Sequence, residues 1–327
     1  MRLAVKEQTA LDRSLGDFPS WMVILAVAVA VALAEWRAPL AVTAASLTSL
    51  IIACCALGAV TAFYRHVRKR EHFAVMCTAV IHILLFTAAG AILSYLLARE
   101  GGALWDNRFQ AWDRSLGFDW LGYARFVDSH AWIAIPFRIA YASLIPQILV
   151  IVLALGFTRR MLELRSVMFA AILCGTIVIL LSPLFPAVSN FIHLGLSPAD
   201  FRYVNPWAGY THLADYEALR SGAMGPIDLK KMQGIITFPS YHAGLATVTL
   251  WGFTQCPSKL LRWAGATIAL ATIAATPVDG GHYLVDVIAG VAIALASIIA
   301  ARRIVPWAMR VPVRSSPFRR LRAAPAQ

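Results

Sequence analysis

Eight apolar stretches recur along this 327-residue chain, near residues 20–36, 41–63, 73–98, 131–157, 166–187, 239–255, 260–277 and 281–304. About 20 apolar residues in a helix cross the roughly 30 Å of hydrocarbon in a bilayer. In that setting every backbone polar group must be bonded inside its own segment or a closed barrel, so stretches of this length are read as helices. Hydrophobic residues make up 59% of the chain and charged ones 14%, with a mean hydropathy of +0.68, well outside the balance of a soluble domain. The expected fold is therefore all-α, a polytopic membrane bundle of about eight transmembrane helices. Residues 1–72 carry an amino-terminal tail and two helices, 73–304 a six-helix core, and 305–327 a short basic tail. No stretch outside the bundle is large enough for a separate soluble domain, and no internal repeat is visible.

Cys54, Cys55, Cys77, Cys174 and Cys256 lie in or at the ends of apolar segments, where small buried hydrophobes are the reading. Their spacing fits neither a zinc site nor a disulfide framework. Ala32-Leu33-Ala34 has the form of a signal-peptidase site, but the preceding segment mixes acids (Glu7, Asp12, Asp17) with its bases, which favours a retained first helix.

The net charge of +12 gains meaning from its location. With the amino terminus placed in the cytoplasm, nineteen Lys and Arg fall in inside segments and nine in outside ones, Arg138 lying within a helix. The inside set comprises Arg2, Lys6 and Arg13, the clusters at 65–70, 159–165 and 259–262, and seven arginines from Arg302 to Arg322. That asymmetry is the positive-inside pattern, and the basic tail suits an anionic membrane surface. Nucleic acid is not needed to account for the charge. The expected setting is a bacterial cytoplasmic membrane, with both termini cytoplasmic.

Two outside segments are long. In 99–130, Leu104, Trp105, Phe109, Trp112 and Leu116 recur at helical spacing with Asp106, Arg108, Asp113 and Arg114 between them, the pattern of a helix lying in the interface. An ordinary loop with anchoring aromatics is the plainer alternative. Segment 188–238 is rich in turn residues and runs directly into the sixth helix; a loop of that length in a compact bundle is usually functional.

The chemistry concentrates in Phe238-Pro239-Ser240-Tyr241-His242 and Gly280-Gly281-His282-Tyr283-Leu284-Val285-Asp286, which open the sixth and eighth helices on the outer side. His282 and Asp286 are four apart, on one helical face. A carboxylate on one ring nitrogen fixes the tautomer and frees the other as nucleophile or base. Pro239 suits a first helical turn, whose free amides, with the Ser240 hydroxyl, would receive phosphate oxygens. His242 is placed to protonate a leaving oxygen, and Gly280 and Gly281 permit close backbone approach to a ligand. Each signal alone has a bland structural reading. Together, on one side of the membrane, they point to a phosphoryl-transfer site.

Pro239-Ser240-Tyr241-His242 followed by His282-Tyr283-Leu284-Val285-Asp286 resembles the second and third signatures of the type 2 phosphatidic acid phosphatase (PAP2) superfamily. More narrowly, FPSYH with GHYLVD is similar to the branch of inositol phosphorylceramide synthases, and HYLVD also to sphingomyelin synthases. The resemblance covers about the last six helices. It implies that His282 attacks phosphorus to form a phosphohistidine, supported by Asp286, with His242 as general acid and then base, Ser240 contacting phosphate, and no metal or cofactor. The substrate it implies is a phosphorylated membrane lipid, with water or a lipid alcohol as acceptor.

Two family features are missing. The chain has no Arg-Pro dipeptide of the first signature, and Ala275-Thr276-Pro277 stands where a Ser-Arg pair is expected. This favours a phosphotransferase of the synthase-like branch over a plain phosphatase, which stays as the alternative. Replacement cations are sought at Arg220, Lys230, Lys231 and Arg138, each with a headgroup contact as its bland reading. His82 and Gln147 are expected to bond between helices, and Asp279 to be a solvated turn acid or to face the acceptor. A lipid transporter of the same fold would need polar groups lining a path at mid-depth, and few are visible.

Overall fold

The computed structural model describes residues 15–310. The expectations that rest on Arg2, Lys6, Glu7, Asp12 and Arg13, and on the tail arginines beyond Arg310, lie outside the described residues. Within them the regular structure is helical, and its sole strand-like pairing is an isolated bridge between Val42 and Ile227.

The longer helices are α1 (Phe18–Arg37), α2 (Ala44–Ala62), α3 (Glu71–Ala98), α4 (Asp106–Ser115), α5 (Trp120–Asp128), α6 (Ala131–Ala142), α7 (Leu144–Phe157), α8 (Met161–Leu181), α9 (Leu213–Ser221), α10 (Tyr241–Thr254), α11 (Lys259–Asp279) and α12 (Leu284–Arg310). Among the described residues, six helices are long and apolar enough to cross a membrane: α1, α2 with its π-helical extension to Val67, α3, α8 with its extension to Leu184, α11 and α12. The expected fourth span is broken. α6 and α7 meet at 59°, because Pro146 has no N–H to bond the Ala142 carbonyl and its ring crowds that turn. Counted as one span, the pair makes a seventh. The expected sixth helix, α10, has only 14 residues.

That short helix is the centre of the bundle. Small residues, Ala243, Gly244, Ala246 and Gly252, line its buried surface and let α8, α11 and α12 pack closely around it. The main core joins α3, α7, α8, α10 and α12 through Val75, Ile151, Leu155, Val167, Val248 and Ala294, all 2% exposed or less. α7 is locked to its neighbours by Gln147, which donates to Thr272 Oγ1 at 3.0 Å and accepts from Thr249 Oγ1 at 3.2 Å. His82 does not bond between helices as expected. Its Nε2 is buried without a partner, and the ring packs edge-on against Trp21 with centroids 4.5 Å apart.

The two ends of the bundle differ. At one, buried Arg165 pairs with Asp17 (Nε to Oδ1, 3.0 Å) and reaches Glu71, Met309 lies alongside, and Arg160 donates to Gln255 O. At the other, α10 and α12 begin, α3, α8 and α11 end, and the long segments 99–130 and 182–240 fold over the helix ends.

Candidate functional site

The two histidine-bearing segments meet where α10 and α12 cross. A Cβ on Gly290 would overlap Ser240 O, and one on Gly244 would lie 3.1 Å from Gly290 O, so glycine at both positions permits the approach. Ser240 N–H donates to Asp286 O at 3.0 Å, tying the start of one helix to the start of the other. The α10 helix begins at Tyr241, two residues after the expected start, so Pro239 lies outside its first turn. Ser240, fully buried, is its N-cap, with the hydroxyl accepting from Ala243 N–H at 3.3 Å. The N–H groups of Tyr241 and His242 have no partner among the described residues.

His282 sits in the turn between α11 and α12, 5% exposed. Gly281 before it has φ of +69°, a conformation that glycine adopts without strain, and its Cα side packs on Ser189 and Phe191. The close approach at Gly281 is thus to protein. Trp120 Nε1 donates to the His282 carbonyl at 3.0 Å, and Asn190 N–H to the Gly281 carbonyl at 2.9 Å. His282 Nδ1 faces two acceptors, Thr237 O at 2.9 Å and Asp286 Oδ2 at 3.3 Å, which leaves Nε2 without a protein partner. Asp286 Oδ2 also accepts Tyr283 N–H at 2.8 Å, and Oδ1 is buried and unbonded. Burial pushes the His282 imidazole down to about 4, against the opposing effect of its bond to the Thr237 carbonyl. The ring is therefore neutral at ordinary pH, as a nucleophile requires.

Two carboxylates from the segment read as interfacial hold this turn. Asp113 on α4 accepts Leu284 N–H at 2.8 Å and Val285 N–H at 3.0 Å, capping α12 from outside. Asp106 accepts the Tyr283 hydroxyl at 2.9 Å and Val188 N–H at 3.1 Å. Both acids are raised by burial, which outweighs those bonds. The helical spacing in 99–130 is present, but as α4 and α5 separated by a turn. Phe109 and Trp120 point inward with the two aspartates, while Leu104, Trp112 and Leu116 stay exposed. On α5, Asp128 accepts the N–H groups of Arg202, Tyr203 and Val204, fastening the second long segment.

His242, half-buried, lies with its ring centroid 6.5 Å from that of His282 and is stacked on Tyr141 at 4.5 Å and 12°. The Tyr141 hydroxyl lies beside Gly280, where an added Cβ would be 2.7 Å from it and 2.7 Å from His282 Cδ2. Asp279 is not a solvated turn acid; it is 5% exposed at the end of α11. The expected cations separate. Arg138, exposed on α6 one turn before Tyr141, is near enough to act electrostatically on Asp279. Arg220 is exposed and engaged elsewhere, donating to Gly102 O at 2.7 Å and Tyr216 Oη at 3.1 Å. Lys230 and Lys231 are exposed, and no ion pair of theirs forms among the described residues.

Sequence reasoning missed Thr237, Tyr141 and the inward roles of Asp106 and Asp113. Thr237 acts through its carbonyl, which no residue pattern reveals. Tyr141 carried one signal, its i, i+3 relation to Arg138 on a helix already suspected.

The family model described as PAP2 superfamily matches residues 107–300, a range that runs from α4 through most of α12 and contains both histidines. No curated protein and no solved structure matches the chain.

Proposed function

The chain belongs to the PAP2 superfamily, and on that premise we propose that it is a membrane lipid phosphotransferase working through a phosphohistidine on His282. The observation that carries this reading is the hold on His282 Nδ1 by Thr237 O and Asp286, which leaves Nε2 free on a ring whose centroid is 6.5 Å from that of His242. In the first step the Nε2 lone pair attacks phosphorus. The bond from phosphorus to the leaving oxygen breaks, and His242, protonated, supplies the proton to that oxygen. In the second step an acceptor hydroxyl attacks phosphorus, the P–N bond breaks, and His242 takes the hydroxyl proton. The free N–H groups of Tyr241 and His242, at the positive end of α10, receive non-bridging oxygens. Arg138 supplies positive charge, and the exposed Lys230 and Lys231 serve the approach of an anionic headgroup. Ser240 positions the helix end.

The FPSYH and GHYLVD segments support placement near the inositol phosphorylceramide synthases, hence transfer of a phosphoryl or phospho-headgroup between lipids. The site faces the exterior, and the arginine-rich end and the tail face the cytoplasm and its anionic lipids. Cysteine replacements at Arg202 and Arg68 test this orientation: the first should label only from outside, the second only from inside.

The decisive experiment uses purified protein and a panel of lipids labelled with ³²P, including phosphatidic acid, phosphatidylinositol and phosphatidylglycerol, with and without ceramide or diacylglycerol. Acid-labile phosphate on the wild type, lost in His282→Ala, together with a new labelled lipid that requires an acceptor, is the expected result. Release of free phosphate or phosphorylated headgroup at a rate indifferent to every acceptor would make the protein a phosphatase.

A further inference from the structure

Five aspartates are buried among the described residues: Asp17, Asp106, Asp113, Asp279 and Asp286. Asp17 is paired with Arg165, and Asp106, Asp113 and Asp286 each accept backbone N–H groups. Asp279 alone accepts no hydrogen bond from the described residues. It also ends helix α11, where the negative pole of the helix dipole disfavours an acid. A carboxylate held there, 5% exposed and unbonded, is costly to the fold, and the groups around it indicate what it is kept for.

Tyr123, Tyr141 and Arg138 stand within its electrostatic reach. Tyr123 uses its hydroxyl on Ala274 O at 2.8 Å. The Tyr141 hydroxyl has no partner among the described residues, and it sits beside Gly280 while its ring lies on His242. A free donor thus stands against His242 and beside Gly280, the residue that follows the free acceptor Asp279, three residues before His282. One carboxylate and one phenol read a hydroxyl group, which donates to the first and accepts from the second. The same carboxylate repels a second phosphate.

We propose that Asp279 and Tyr141 form the subsite for the acceptor, and that the acceptor is an uncharged alcohol, either a lipid-borne hydroxyl or a soluble polyol. This inference rests on the phosphohistidine reading. The alcohol donates to the Asp279 carboxylate as it binds, and Tyr141 donates to its oxygen chain. As that oxygen attacks phosphorus, the P–Nε2 bond of His282 breaks and its electron pair returns to Nε2. The alcohol proton leaves its hydrogen bond to Asp279 and passes to His242, so Asp279 ends the step with its charge unchanged.

The test measures how one intermediate divides between two fates. Wild type, Asp279→Asn and Tyr141→Phe are loaded with whichever ³²P-lipid of the panel phosphorylates His282. The loaded protein is then chased in water alone, with glycerol, and with diacylglycerol. The ratio of alcohol product to hydrolysis product is read, so any change in loading rate cancels. Both variants should lower that ratio about tenfold, in the glycerol arm for a polyol acceptor or the diacylglycerol arm for a lipid one. Tyr141→Phe keeps the ring on His242 and covers the case in which Asp279→Asn does not fold. Unchanged ratios in variants that load, or a wild type that loads and only hydrolyses in every arm, would overturn the subsite and leave the phosphohistidine standing. A wild type that never loads would overturn that reading and this inference with it.

Discussion

Replacing Asp286 with asparagine separates two roles open to a carboxylate beside a reacting imidazole: fixing the tautomer, or only adding negative charge. Thr237 O, at 2.9 Å from His282 Nδ1, is a shorter acceptor than Asp286 Oδ2 at 3.3 Å. The peptide carbonyl therefore holds the proton on Nδ1 even when the carboxylate is gone. Where a carboxylate alone sets the tautomer, its conversion to an amide lowers turnover by about 10⁴. Here the change removes one charge-assisted contact, about 1.5–3 kcal/mol, which at about 1.4 kcal/mol per decade is roughly 10- to 150-fold. The amide oxygen of Asp286→Asn can still accept Tyr283 N–H, so folding is expected to survive, whereas Asp286→Ala also leaves that donor bare. The measurement is the rate at which acid-labile label appears on the protein after rapid mixing, with thermal unfolding in detergent as the control. A loss approaching 10⁴ in a folded Asp286→Asn protein would show that Thr237 does not hold the proton. A loss below threefold would show that Asp286 is not coupled to His282 at all.

Gly280→Ala should lower the unfolding temperature by several degrees and reduce loading, because the new methyl meets Tyr141 Oη and His282 Cδ2 at 2.7 Å, an overpacking on the order of 1–3 kcal/mol. Adding Tyr141→Phe should recover part of the stability, and no recovery would place the strain elsewhere. The lowered value of His282, about 4 against about 6.5 in an unfolded chain, means that the native state binds fewer protons between those limits. That contribution to stability is complete above about pH 6.5, declines as the pH falls, and levels off below about 4. An NMR titration should accordingly find the His282 ring neutral at pH 5.5 and protonated only near about 4; a midpoint near 6.5 would contradict the burial argument. At the other end of the bundle, Asp17→Ala strands buried Arg165 and should cost about 3–5 kcal/mol, read as a lowered unfolding temperature; an unchanged value would show that Glu71 suffices.

What the sequence disclosed followed from regular spacing and from side chains that announce chemistry. Apolar stretches of span length placed the helices, and His282 meets Asp286 four residues on, although from the turn before α12 rather than from its face. Pro146 was as visible as any residue, yet composition alone ran 131–157 together as one helix. Asp106 and Asp113 were hidden because charge between tryptophans reads as a solvated face; only the folded chain shows that the N–H groups of Val188, Leu284 and Val285 and the Tyr283 hydroxyl draw these carboxylates inward. Thr237 contributes a carbonyl, a group that every residue carries. Arg220 looked suited to phosphate from its place in the loop, but its guanidinium is turned to Gly102 and Tyr216, a long-range fold contact with no local signature.

The shortness of α10 sets the depth at which the chemistry takes place. A helix of 14 residues is about 21 Å long, against roughly 30 Å of hydrocarbon. Its far end is anchored through Gln255 to Arg160, among the arginines. If that end marks one headgroup boundary, the histidines at the near end lie on the order of 10 Å short of the other. A lipid whose phosphorus meets His282 must then sink its headgroup below the plane of its neighbours, which makes local bilayer thickness a variable in the rate, adjustable by acyl-chain length with no change to any residue.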